Sequence, residues 1–296
     1  MAGTTPYVSA AAFRAHPTYL DTDGLNLGSN DPAAQTAELT NLLLASSAWA
    51  DNELNQPLGA HLYTQRERVL MGSDGQIKLH ADHGPVIRTT EVEYGYSPGA
   101  LTTLANPTVW VEQDNNLVVS LATNGSIAWS GSLQFGAVVP GGDLFTQVSY
   151  VAGYVATVLD SDVTAAATTL TVTDPTGITP GSGYRIWEPG IEETVIVDPA
   201  WSPPAPSLTP VPTTVSLLRP LQHAHTAGSD VSSVPADARK AIVLHTMSQL
   251  MRPDSTAEDE YPDNATASTR ADDPRTRGMG LLKEARKTLA SFQRIR

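Results

Sequence analysis

The sequence predicts an α+β protein: a small helical core made by the N-terminal and C-terminal helices, a large antiparallel β-domain inserted between them, and an extended C-terminal arm. Three observations predict it. Apolar residues recur at helical spacing near both ends of the 296-residue chain. The middle alternates residue types with period two between turn-forming stretches. Aromatics are sparse, whereas Gly and Pro contribute 22 each, a balance that favours short strands joined by turns over an all-helical bundle.

The first helix is short. In "YVSAAAFRAH" Ser9 can accept a backbone N–H and cap it, and Pro17 ends it within two turns. A stronger helix follows in "SNDPAAQTAELTNLLLASSAWADNEL", where Asp31 can cap, Pro32 takes the first helical position, and Leu39, Leu42, Leu43, Ser46, Trp49 and Ala50 trace one stripe. That stripe needs a partner helix. The matching segment is "PADARKAIVLHTMSQLM", opened by Pro235, with Ala238, Ala241, Ile242, His245 and Met247 near one face.

Between them, residues 61–220 read as strands. A hairpin is expected around "GSDG" between "HLYTQRERVLM" and "QIKLHADHGP", and another around Asp114 to Asn116. "QVSYVAGYVATVL", "TTLTVTD" and "ETVIVD" add further strands, separated by turn chemistry such as "PTGITPGSG". Six prolines between Pro199 and Pro212 exclude a central strand there and predict an extended loop. The resulting division is 1–60 and 221–252 for the helical core, 61–220 for the insertion, 253–274 for a polar, acidic tether and 275–296 for the arm.

Charge is unevenly spread. The chain carries −13 formally, yet the last 22 residues carry +6, because Arg275, Arg277, Lys283, Arg286, Lys287, Arg294 and Arg296 face only Glu284. An acidic body argues against a surface that grips nucleic acid, since neutralising phosphates takes clustered Lys and Arg. In the arm, Leu282, Ala285, Leu289, Phe292 and Ile295 recur every three or four residues, which makes an amphipathic helix with a basic reverse side. A basic amphipathic helix on a leash suits a partner surface.

Chemistry finds little purchase. There is no cysteine, so no disulfide or thiolate metal site exists. No apolar run approaches the ~18 residues of a membrane span and the N-terminus lacks a signal-peptide pattern, so a soluble protein made in the cytoplasm, without membrane contact, is expected. His223 and His225 form an H-x-H pair with Asp230 five residues on, and His80 and His83 form another pair. Neither has a firmly placed third ligand, so both are read as polar residues of turns, with no metal and no cofactor. Glu192 and Glu193 would point to opposite faces of a strand and cannot flank one scissile bond. No nucleophile elbow, phosphate loop, dinucleotide fingerprint or zinc-protease motif occurs, and no enzyme is expected.

The order of these parts, from "AQTAELTNLLLASSAWAD" through "YTQRERVLMGSDGQIKLHADHGPVIRTTEVEYG" and "VSYVAGYVATVLDSDVTAAATTLTVTDPTGITPGSGYRIWEPGIEETVIV" to "HAHTAGSDVSSVPADARKAIVLHTMSQLM", resembles the head-to-tail adaptor, or head-completion, proteins of long-tailed bacteriophages. The resemblance implies a structural virion protein of the neck, assembled in the host cytoplasm. It implies a ring, commonly of twelve copies, between the portal protein ring and a tail-side stopper or tail-terminator protein, around a channel through which double-stranded DNA passes without tight binding. It assigns portal binding to the arm: Arg275, Arg277, Leu282, Lys283, Arg286, Lys287, Leu289, Phe292, Arg294, Ile295 and Arg296. The β-insertion is longer than in compact helical adaptors. The alternative is a carbohydrate- or host-receptor-binding module of a tail or baseplate, with Trp110, Trp129, Trp187 and Trp201 as a stacking platform.

Overall fold

In the computed structural model, residues 5–18, 20, 22, 24–25, 28–72, 75–105, 108–120, 143–207, 209–251 and 278–292 are described. The α+β class holds, with helices at both ends of the chain and antiparallel sheets between them.

The helical caps form as the sequence dictates. Helix α1 (Ala10–Ala15) starts at Ser9, whose hydroxyl accepts from the Ala12 amide at 3.2 Å. Helix α2 (Pro32–Leu54) starts at Asp31, whose carboxylate accepts from Ala33 N–H at 3.2 Å, and ends on Asn55 in the left-handed region at φ 54°. Helix α3 (Ala236–Leu250) is the expected partner of α2. Leu39, Leu43 and Ala50 are buried together with Ala238, Ala241 and Ile242. The α2–α3 seam also carries polar contacts, because Ser46 meets His245 Nδ1 at 2.9 Å and Thr246 Oγ1 at 2.8 Å, and Trp49 stacks on the His245 ring at 4.0 Å.

Helix α4 (Met279–Leu289), continued by a 3-10 turn at Ala290–Phe292, corrects the expectation of a free arm. Its apolar side lies in the same core: Ala285 and Leu289 are fully buried, and Leu281 and Phe292 pack beside them. The stripe therefore runs Leu281, Ala285, Leu289 at i, i+4, i+8, and Leu282 stands beside it. Gly278 makes the approach possible, since a Cβ there would come within 2.9 Å of Ser248 backbone and its φ of +74° suits glycine. Ion pairs flank the contact, from Arg286 Nε to Glu53 at 2.9 Å and from Lys240 to Glu284 at 3.4 Å.

The strand-rich part builds two cores instead of one. The first is a sandwich of a four-stranded sheet, β1 (His61–Leu70), β7 (Asp143–Ala152), β3 (Val86–Ser97) and β4 (Ala100–Thr103) in that order, on a three-stranded sheet, β2 (Gln76–His80), β6 (Asn116–Ser120) and β5 (Thr108–Glu112). Val69, Val92, Leu144, Val148 and Tyr150 from one sheet meet Ile77, Leu79, Leu117 and Val119 from the other. The β5–β6 hairpin is as expected, turning through Gln113 and Asp114 with positive φ. The expected β1–β2 hairpin does not form. A turn does close at Gly72–Gln76, but β1 pairs with β7 in register from His61↔Ala152 to Leu70↔Asp143, and β2 pairs with β6.

The second core is a small closed barrel. Strands β8 (Ala156–Val158), β13 (Asp230–Ser232), β10 (Gly183–Trp187) and β11 (Glu193–Ile196) form one sheet, and β12 (Thr213–Ser216) with β9 (Thr169–Val172) another. Bridges Val197↔Leu217 and Leu159↔Val172 join their edges, so the strands run β8–β13–β10–β11–β12–β9 and back to β8. Closure leaves no open strand edge. Leu159, Leu170, Val172, Ile178, Ile186, Val197, Val215 and Val231 fill the interior. The proline-rich stretch is a loop between β11 and β12, as expected, and Arg88 of the sandwich donates to Pro204 O at 2.9 Å. The segment after residue 221 thus belongs first to the barrel, through β13, and only then to the helical core.

Among the described residues no helix is long and apolar enough to cross a membrane.

Candidate functional site

Two polar clusters stand out, one at the joint between barrel and helices and one within the barrel. The first is centred on Asp230 and Arg239. Asp230 opens β13 opposite Trp187 of β10, and its carboxylate accepts from Arg239 Nη2 at 2.8 Å and from Ser9 N–H at 2.9 Å. Arg239 also donates to the Tyr7 carbonyl, and its guanidinium lies over the Trp187 ring at 4.6 Å. Arg185 lies over the same ring at 4.7 Å. One side chain of the barrel therefore holds α3 and the chain leading into α1. Burial pushes the Asp230 carboxyl up, against the guanidinium and the Ser9 amide, and burial pushes Arg239 down.

Tyr7 anchors the place where the chain leaves the helices. Its hydroxyl donates to Asp51 at 3.0 Å and accepts from Gly59 N–H at 2.8 Å, and Asp51 accepts from Leu58 N–H at 2.9 Å. Burial pushes the Asp51 carboxyl up to about 6, although the Leu58 amide and the Tyr7 hydroxyl pull it down. Burial also raises the Tyr7 phenol, helped by the Asp51 charge. Directly above, Gly59 bridges Tyr154, and Gly153 has φ +115° with room for no side chain, since a Cβ would lie 2.5 Å from Gly59 O.

The second cluster corrects the reading of His225 as an incidental turn residue. His225 is 2 % exposed, with Nδ1 2.9 Å from Glu188 Oε2 and Nε2 2.8 Å from Glu193 Oε1. The two carboxylates bind the return segment as well. Glu188 accepts from Thr226 Oγ1 at 2.8 Å and Thr226 N–H at 3.1 Å, while Glu193 accepts from Gln222 N–H at 2.9 Å and His223 N–H at 3.2 Å. Burial pushes both carboxyls up, but these hydrogen bonds outweigh it and hold both below the usual carboxylate range. Both glutamates lie more than thirty residues before the histidine, beyond the reach of motif spacing.

No group of three or more His, Cys, Asp or Glu among the described residues has the arrangement to hold a metal ion. A cleft of about 370 Å³ opens beside the joint, between α1, α3 and the β10–β11 loop, and Trp187, Pro189, Glu192, Lys240 and His16 line part of it.

The residues assigned to portal binding divide into three groups. Leu289 is buried in the chain's own core, and Phe292, partly buried, packs against it. Lys283, Arg286 and Lys287 are exposed on the opposite side of α4, Arg286 pairing with Glu53, and Leu282 is half-buried. Arg275, Arg277, Arg294, Ile295 and Arg296 lie outside the described residues. The tryptophans do not make one platform: Trp110 is partly exposed on β5, Trp187 lies between two guanidinium groups, Trp201 donates from its ring to Thr214 O at the barrel, and Trp129 is outside the described residues.

No protein-family model matches the chain, and no curated protein does. Among solved structures, one described as the neck of an empty GTA particle computed with C6 symmetry aligns over 98% of this chain and 94% of its own, with 14% sequence identity and a TM-score of 0.33. A likeness at that TM-score defines no shared fold.

Proposed function

We propose that the chain is a structural subunit of a virion neck, a wedge in a ring between a portal and the tail-side proteins, and that it performs no catalysis. The observation that carries this reading is the joining of both chain ends into one helical core, with the β-units as a single excursion that leaves at Leu58 and returns at Ser233. That is the arrangement the resemblance to head-to-tail adaptors implies, and the acidic body suits a channel wall that lets a duplex slide.

The docked α4 changes which side of the arm meets the portal. Its apolar side is occupied, so portal contact falls to the outward basic side, Lys283 and Lys287, with Arg275 and Arg277 before it and Arg294 and Arg296 after it. The test is electron microscopy of purified chain mixed with its portal ring. Docking as a ring is expected for the native chain and absent for the K283E/K287E double variant, whose melting temperature should be unchanged. Failure of the native chain to assemble on the portal refutes the neck assignment, whereas undiminished docking of the double variant refutes only the assigned face.

A further inference from the structure

We propose that Glu188, His225 and Glu193 form a protonation-operated latch that fixes the β10–β11 loop and, through Trp187, the seat of the barrel on α3.

The geometry favours a doubly protonated ring. Both ring nitrogens lie at hydrogen-bond distance from carboxylate oxygens, at 2.9 and 2.8 Å. An ionised carboxylate only accepts, so with both glutamates ionised the two contacts are satisfied together when both ring nitrogens donate. The cation has no water to share, because its side chain is fully enclosed and those of Glu188 and Glu193 are 17% and 10% exposed. A buried charge with partners on both sides is stable only while both partners keep theirs.

The latch holds two pieces of chain. Each glutamate gathers two further donors from residues 222–226, and His225 is fixed behind by its backbone pair with Val163 at 2.9 Å in both directions. Asp162, on the turn before Val163, accepts from Ala227 N–H at 2.8 Å, and His223 on the same segment is exposed. Neither makes a hydrogen bond or ion pair to the ring among the described contacts.

Coupling to the joint is short. Glu188 follows Trp187 in the chain, Trp187 pairs with Asp230 across the sheet, and Arg239 rests on the Trp187 ring while holding Asp230. Pro189 and Glu192, in the loop between the two latch glutamates, line the cleft facing α1 and α3. Losing either carboxylate charge leaves the imidazolium with one anionic partner and frees the loop wall of that cleft. Acid, by protonating the glutamates, opens the latch. The folded carboxyls lie below their unfolded range, so the stabilisation is complete above the unfolded values and is lost as pH falls through the folded ones.

Hydrogen–deuterium exchange on the full chain between pH 7.5 and 3.5, expressed as protection relative to the intrinsic rate at each pH, tests the proposal. Protection of residues 186–193 and 222–227 should fall by about tenfold or more across the acid limb, while the β9–β12 pair, whose residues take no part in the latch, keeps its own. In Glu188→Gln the amide oxygen accepts from Thr226 Oγ1 and the NH2, in the place of Oε2, donates to a ring that then needs one proton, at the expense of the Thr226 N–H bond. This variant should fold at pH 7.5 with the native spectrum and show a markedly shallower acid response. In His225→Gln protection of the same residues should be low at every pH. Acid loss that is equal throughout the barrel, or an acid response in Glu188→Gln as steep as the native one, overturns the latch.

Discussion

Leu289→Ala decides whether α4 belongs to the core or merely visits it. The side chain is fully buried among Leu39, Leu43, Leu54 and the α3 residues of the helical core, and truncation there removes three carbons and leaves a cavity. Such losses cost about 2–5 kcal/mol. Leu281, Ala285 and Phe292 hold the same helix and Arg286 pairs with Glu53, so the cost should register in the whole helical core. With roughly 2 °C lost per kcal/mol for a chain of this size, the transition followed by helix ellipticity should drop by about 4–10 °C. The matched control is Lys287→Ala on the exposed side, expected within ~0.5 kcal/mol of native. Hydrogen exchange gives the second reading: amides of residues 282–289 in the native chain should be protected to a degree comparable with α2. A Leu289→Ala chain that melts like the native one, with residues 282–289 exchanging freely in both, refutes the docking argument and restores the free arm.

Two carboxylates, the half-buried Asp51 and the buried Asp230, should respond to neutralisation in opposite ways. Asp51→Asn keeps an oxygen for Leu58 N–H and the Tyr7 hydroxyl but removes a charge that burial disfavours. A carboxyl raised from 3.8 to about 6 costs stability as pH rises between those values. The variant should therefore be more stable at pH 7.5 by about 1–2 kcal/mol and lose the slope between pH 4 and 6 in denaturant titrations, and a destabilised variant at pH 7.5 would count against this. Asp230→Asn removes the anionic partner of Arg239 in the interior and should cost about 3–5 kcal/mol by the same measurement, while the double replacement Asp230→Leu with Arg239→Met should cost less than the sum of the two single changes.

What the sequence reveals follows from how local each signal is. Ser9, Asp31 and Pro32 act within one helical turn, so α1 and α2 begin where their caps say. The Gln113–Asn115 turn joins strands that pair directly, and β5–β6 is legible for that reason. The β1–β2 hairpin fails because turn chemistry shows only that the chain reverses at Gly72. It does not show that β7, with Leu144, Val148 and Tyr150 on its inward side, offers β1 a longer ladder from more than seventy residues away. Periodicity locates the apolar side of α4 to within one position, but periodicity does not say whose surface covers it. That depended on Gly278 allowing the close approach to Ser248. The His225 latch was invisible for a related reason. An H-x-H pair beside "TAGSD" carries the signature of a turn, and only the fold brings the "EPGIEE" glutamates to both sides of one ring.

The chain crosses between units three times, from helices to sandwich, from sandwich to barrel and from barrel to helices, and the second crossing is bonded to both of the others. The outgoing strand at Leu58–Ala60 bonds to Tyr154 on both sides, with Ala60 N–H donating to Tyr154 O and Tyr154 N–H to Leu58 O, each at 2.7 Å. The passage from sandwich to barrel at Val155 exchanges hydrogen bonds with Ser233 of the returning strand, at 2.9 Å each way. Tyr7 and Asp51 fix the first crossing to α2, and Asp230 and Arg239 fix the third to α1 and α3. A linker that tolerated relative motion would leave these backbone groups to water, and here they are enclosed and paired. The β-units are therefore tied to the helical core by paired backbone at each crossing. The barrel meets α3 directly, with the Arg239 guanidinium over the Trp187 ring and bonded to Asp230.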